Sequence, residues 1–159
     1  MTRATDARRR ALFQGRGAAF LMSQVGAHSS RRWNERVQAV GLDSRAVMLL
    51  WNVAIEEGRS QRLLAEALRL PGSRVVAMVD ALEAGGWLQR RLSTRDRRTR
   101  ALHLTRKGRA LTDRIMQIAA EHEDDLTRGL RLGERAELVD LLTRIARAQD
   151  LIPTSHPDF

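Results

Sequence analysis

The chain has 159 residues, a hydrophobic share of 43% and a formal charge of +9, from 28 Lys and Arg against 19 Asp and Glu. That length fits one integrated domain with apolar residues enough for a core, which argues against wholesale disorder and against two full domains. Cysteine is absent, which excludes disulfides, thiolate metal sites, a cysteine nucleophile and thiol redox switching.

No apolar run approaches the roughly 18 residues needed to cross a bilayer. The opening MTRATDARRRALF lacks the apolar stretch of a secretory signal, so the expected compartment is the cytoplasm and no membrane partner is expected. Residues 11–40 are expected to form one long helix or two abutting ones, with Leu12, Phe20 and Val25 as apolar positions and Gly15, Gly17 and Gly26 weakening it. Gly41 ends it. Asp43 or Ser44 then caps a helix in which Val47, Leu50, Trp51, Ala54 and Ile55 follow the i, i+3, i+4, i+7 rule, and Gly58 stops that one.

Ser60 caps a short helix, SQRLLAEAL, with Leu64 and Leu68 on one face. Leu70-Pro71-Gly72 makes a tight turn, and Ser73 is expected to cap SRVVAMVDALEAGG. There Val75, Met78, Val79 and Leu82 share a buried face while Arg74, Val76, Ala77 and Ala81 point outward; Gly85-Gly86 closes the helix. Two short helices joined by a tight turn fit a helix-turn-helix, and also an ordinary helical hairpin.

The periodicity then changes. WLQRRLS (87–93) and RTRALHL (98–104) have strand character, with Leu88, Leu92, Leu102 and Leu104 as inward candidates and the polar TRDR (94–97) as their turn. A hairpin directly after a helix-turn-helix reads as a wing. Residues 87–109 carry eight Arg and Lys107 against Asp96 alone. So dense a block either stays solvated or sits against a polyanion, and nucleic acid is the obvious one, since each neutralised phosphate releases counterions. Thr105 caps a long helix carrying Leu111, Ile115 and Ile118 and running to about Arg128. A last helix, from Glu134 to about Gln149, carries Leu138, Leu141, Leu142, Ile145 and Ala148, and Pro153 ends it.

Leu64-Ala65, Ser73, Val75, Leu82-Glu83 with a following Gly, Arg91, Asp96-Arg97-Arg98, and Leu104-Thr105 with Gly108 occur in order. On these landmarks the stretch 63–111 resembles the winged helix-turn-helix of the MarR family, the multiple antibiotic resistance regulators. GLDSRAVMLLW (41–51) resembles the family's helix that follows a Gly-Leu-Thr sequence. The resemblance implies a mainly α fold with a small β-wing. It places N-terminal helical dimerisation residues at 1–42, a winged helix-turn-helix DNA-binding lobe at 43–105 and C-terminal dimerisation helices at 106–159. It implies a homodimer on a pseudo-palindromic double-stranded operator, a repressor relieved by a small molecule. The alternative is a ligand-independent or architectural DNA-binding protein of low sequence specificity. The apolar stripes in 1–42 and 106–152 point independently to a two-fold partner, which one chain cannot supply.

The Ser73 hydroxyl and its helix N-terminus suit a phosphate, and Arg74 suits a guanine edge in the major groove. Val76 and Ala77 depart from the family's more polar residues; they can touch thymine methyls but cannot hydrogen-bond, so specificity leans on Arg74, the wing and DNA shape. By resemblance Arg97 enters the minor groove, braced by an Asp96–Arg98 pair. Arg95 and Arg100 meet phosphates, and Ser60, Gln61 and Arg62 touch the backbone. Met22, His28, Trp33, Met48, Trp51 and Asn52 lie on helices flanking the family's effector cleft, where a Trp or Met is more often plain core; an effector there would be flat and apolar, aromatic or phenolic. The four His are scattered, and Glu121-His122-Glu123-Asp124-Asp125 reads as a solvated acidic face, so no metal or cofactor is expected. No catalytic motif stands out, and no enzyme activity is expected.

Overall fold

The computed structural model describes residues 17–92 and 100–151, with Asp6, Arg10, Gln14 and Gly15. Among these residues six helices and one hairpin follow in the order α1 (Ala18–Gln38), α2 (Ser44–Ile55), α3 (Gln61–Leu68), α4 (Gly72–Ala84), β1 (Leu88–Leu92), β2 (Arg100–Leu104), α5 (Arg106–Leu126) and α6 (Leu132–Ala148).

Local chemistry sets most of these limits. The expected N-terminal helix runs from Ala18, after Gly17, and closes where Leu42 N–H returns to the Val37 carbonyl at 3.1 Å. Asp43 caps α2 by accepting from Ala46 N–H at 2.7 Å, and Ser60 caps α3 by accepting from Leu63 N–H at 3.3 Å. Gly58, at φ +91°, turns the chain so that residues 58–60 run beside β2; Gly58 N–H donates to the Leu102 carbonyl and Leu102 N–H to the Arg59 carbonyl. Helix α3 ends on Arg69 in the left-handed region, φ 51°.

Two expectations fail here. Ser73 does not cap α4: that helix begins one residue earlier, with Pro71 at the cap, whose carbonyl accepts from Arg74 and Val75 N–H at 3.0 and 3.2 Å. The fixed proline φ favours a helix start and outweighs the serine signal. Leu92 does not turn inward and is 69% exposed, although Leu88, Leu102 and Leu104 are buried. The antiparallel register pairs Leu88 with Leu104 at the core end and Leu92 with Arg100 at the far end, where the ladder has left the core behind.

The core sits in the middle of the chain. Leu49, Leu50 and Val53 of α2 meet Leu64 and Leu68 of α3, Val75 and Val79 of α4, and Leu88 and Leu102 of the hairpin, and Ile115 of α5 closes one side. Helix α2 is buried on most of its circumference because helices and hairpin surround it. The start of α5 is pinned to the end of α4: Thr105 accepts from Gly108 N–H at 2.9 Å and donates to the Gly86 carbonyl at 2.6 Å. A Cβ at Gly108 would overlap the Trp87 carbonyl, so only glycine permits that approach. By contrast, α6 buries none of its residues within one chain. The described architecture is mainly α with a small β-hairpin of winged helix type.

Candidate nucleic-acid interface

Burial of Val75, Val79 and Leu82 fixes the roll of α4 about its axis. With 3.6 residues per turn, Arg74, Val76, Ala77 and Ala81 then face out, and all four are exposed. The apolar surface there is real, with Val76 43% exposed. Ser73, in the first turn of α4, is exposed too, beside helix N–H groups that attract anions.

One arginine locks this helix to its neighbours. Arg90 on β1 reaches Asp80 and Glu83 on α4 with its guanidinium, and its Nε lies 3.5 Å from Gln61 Oε1 on α3. Its backbone N–H also donates to Glu83 Oε1 at 2.9 Å. That backbone bond, followed by the guanidinium, holds the Glu83 carboxyl below its usual range. Burial pulls the Arg90 pKa down, but the hydrogen bonds that Arg90 donates to Asp80 and Glu83 outweigh it and raise the value. Arg90 carries no role in the sequence reading. The available signal is the i, i+3 spacing of Asp80 and Glu83, which turns both carboxylates toward the strand that follows.

The remaining candidates divide. Ser60 spends its hydroxyl on the α3 cap and pairs by backbone with Ala101. Gln61 is half-buried and turned toward Arg90. Arg62 is exposed and pairs with Glu66 at 2.6 Å. Arg100 is exposed opposite Leu92. Arg95, Asp96, Arg97 and Arg98 lie outside the described residues. The basic block is also partly structural. Lys107 donates to the Gly85 carbonyl at 2.8 Å and lies 5.1 Å over the Trp87 ring, and Arg109 pairs with Glu57. With Arg90, three of the described cations in 87–109 therefore serve the fold.

The six side chains named for an effector cleft do not share one environment. Met48 and Asn52 are buried, with Asn52 Nδ2 donating to the Met48 carbonyl at 2.9 Å, and Trp33 and Trp51 pack against that core. Met22 and His28 are exposed. Among the described residues no group of three or more His, Asp or Glu is arranged to hold a metal ion, and no helix is long and apolar enough to cross a membrane.

A sequence model described as MarR family matches residues 40–99. A protein of Thauera aromatica named as a transcriptional regulatory protein for the hcr operon is 34% identical over 107 residues, 67% of this chain and 64% of that protein. PecS of Dickeya dadantii, an HTH-type transcriptional regulator, is 32% identical over 84 residues, 53% of this chain and 51% of its own. The chain thus spans less than two thirds of the length of these two curated relatives. Among solved structures, the transcriptional repressor CouR bound to a 23-mer DNA duplex superposes with TM-score 0.71 at 31% identity, over 86% of this chain and 95% of that one. CouR of Rhodococcus jostii bound to p-coumaroyl-CoA gives TM-score 0.66 at 29% identity, over 80% and 90% of the two chains. Landmark residues, helix order, hairpin position and these likenesses agree: the chain belongs to the MarR family.

Proposed function

We propose that the chain is a homodimeric, sequence-specific DNA-binding transcriptional regulator, a repressor relieved by a small-molecule ligand. The observation that carries this reading is the α4 face: Arg74, Val76 and Ala77 are exposed on a helix that Arg90 fastens to an arginine-rich hairpin. Helix and strands then move as one rigid unit, which suits a major-groove helix with a flanking minor-groove wing. In this reading Arg74 takes a guanine edge and Val76 and Ala77 touch thymine methyls. Ser73, Arg62, Arg95 and Arg100 meet phosphates, with Ser60 and Gln61 setting the start of α3. Arg97 enters the minor groove, with Asp96 and Arg98 bracing it.

The homodimer is supported by surface that one chain leaves uncovered. Leu138, Leu141, Leu142 and Ile145 follow helical spacing along α6 and are 37–45% exposed; Phe20 and Val25 on α1 are 49% and 53% exposed. Contiguous apolar surface of this kind marks an interface. A two-fold pair would carry two α4 helices to half-sites about 34 Å apart or a multiple of that. Ligand relief is supported by the likeness to CouR with p-coumaroyl-CoA; the ligand here would be flat and apolar or phenolic, against α1 and α2 near Met22, His28, Trp33, Met48, Trp51 and Asn52.

A mobility-shift titration on the DNA upstream of the protein's own gene and neighbouring genes tests this. Affinity should fall steeply with salt, and Arg97→Ala should cost about 1–3 kcal/mol. A flat salt response refutes the reading. Exposed Val76 and Ala77, which cannot hydrogen-bond to bases, favour a second reading, an architectural binder of low specificity. Specific over non-specific affinity of about 10³ or more identifies a regulator; a ratio near one identifies the architectural protein.

A further inference from the structure

Burial of Val75, Val79 and Leu82 leaves Ala77 near the middle of the outward face of α4. Arg74 and Val76 are two residues apart, so on a helix of 3.6 residues per turn they lie about 160° from each other, on opposite flanks of that face. Each flank borders a groove. On the Val76 side a groove of about 520 Å³ is shared with α3, through Arg62 and Glu66. On the Arg74 side a groove of about 330 Å³ is shared with the start of α2, through Asp43 and Arg45, and Met78, Ala81 and Trp87 complete it.

The fold makes no use of the charge on Arg45. The side chain is exposed and forms no ion pair among the described residues. It is the second residue of α2, where a cation opposes the helix dipole instead of complementing it. Asp43 borders the same groove, but one of its carboxylate oxygens accepts from Ala46 N–H at 2.7 Å to cap α2. With Arg45 and Arg74 against Asp43, the groove is net positive.

A helix about 10–12 Å across, seated in a major groove about 12 Å wide, has a phosphate strand along each flank. Arg62, on α3, is in place for one of those strands. Arg45 stands in the corresponding place on the other flank, beside Arg74, but on a helix outside the helix-turn-helix and hairpin.

We propose that Arg45 is a further DNA contact, meeting a backbone phosphate of the strand opposite the one met by Arg62, so that α4 is held at both flanks. This rests on the DNA-binding reading above and extends the interface to α2. A phosphate contact carries no sequence information; it seats α4 in the groove. That seat matters on a helix whose Val76 and Ala77 cannot hydrogen-bond to bases.

The test is a mobility-shift titration of the full chain at several salt concentrations, on the DNA upstream of its own gene and on a scrambled duplex of equal length. Arg45→Gln should weaken binding to both duplexes severalfold and by the same factor. Each phosphate contact contributes about 0.9 to the slope of log affinity against log salt, so a two-fold pair that loses two contacts should show a slope shallower by about two. Arg45→Lys keeps the charge and should restore affinity and slope, with the melting temperature the same in all three chains. Asp43→Asn keeps a capping side chain but removes a carboxylate from the groove, and should strengthen binding to both duplexes. If Arg45→Gln leaves affinity and slope unchanged while the wild-type chain responds steeply to salt, the α2 contact is overturned and the DNA-binding reading stands. A flat response from the wild-type chain removes both. Weakened binding to the upstream DNA alone makes Arg45 a base reader. A loss that Arg45→Lys does not restore, with a lowered melting temperature, makes it structural. Either result overturns the phosphate contact.

Discussion

The winged lobe and the terminal helices use similar apolar residues to opposite ends. In the lobe, Leu49, Leu50, Leu64, Val75, Val79 and Leu102 are all but sealed from solvent. On α6, Leu138, Leu141, Leu142 and Ile145 repeat at the same helical spacing and remain 37–45% exposed. Periodicity alone does not distinguish a helix that finds its cover within the chain from one that must find it elsewhere. The lobe surrounds α2 with three kinds of neighbour, whereas among the described residues α6 buries none of its own.

The largest expected effect is in the lobe. Leu64→Ala should lower unfolding free energy by about 2–5 kcal/mol, the usual cost of an unfilled core site, and by the same amount at every protein concentration in urea titrations. Leu142→Ala sharpens the contrast. Burial of one leucine contributes about 1.5–3 kcal/mol, so the dissociation constant of the proposed dimer should rise about 10- to 100-fold in sedimentation experiments, with little change in the dilute monomer. Equal monomer destabilisation by both changes would break the comparison.

Gly108→Ala tests the seam between the two regions, where α5 leaves the lobe. The added methyl overlaps the Trp87 carbonyl, and about 1–3 kcal/mol of overpacking cost is expected in thermal unfolding. The smallest effect is at the Arg90 clamp. Glu83 titrates below its ordinary value of 4.5 in the folded chain, so its contribution to stability is present above pH 4.5 and lost as pH falls through the lower folded value. Glu83→Gln should flatten the acid limb of a stability–pH profile. An unchanged limb would place the acid sensitivity elsewhere.

Several parts of the molecule were legible because they rest on neighbours in sequence. Asp43, Ser60 and Thr105 cap the helices they precede through bonds to N–H groups three residues on. The outward set Arg74, Val76 and Ala77 follows from the buried set Val75, Val79 and Leu82 by helical geometry alone. Ser73 was misplaced because two start signals competed within three residues and proline prevailed. Leu92 was misplaced because strand alternation tells which residues share a face but not how far the core extends beneath it. For a related reason, counting charge cannot tell that Lys107 covers the α4 terminus or that Arg109 pairs with Glu57 across the chain.

By itself, then, the sequence determined the element order, the caps of α2, α3 and α5, the exposed face of α4 and the family landmarks, since each depends on interactions within about four residues or on an ordered series of them. Only the tertiary structure decided that Arg90 joins α3, α4 and β1, and that Arg45 and Arg74, 29 positions apart, share one groove. These depend on the relative placement of whole elements, which long-range packing sets and local periodicity leaves open.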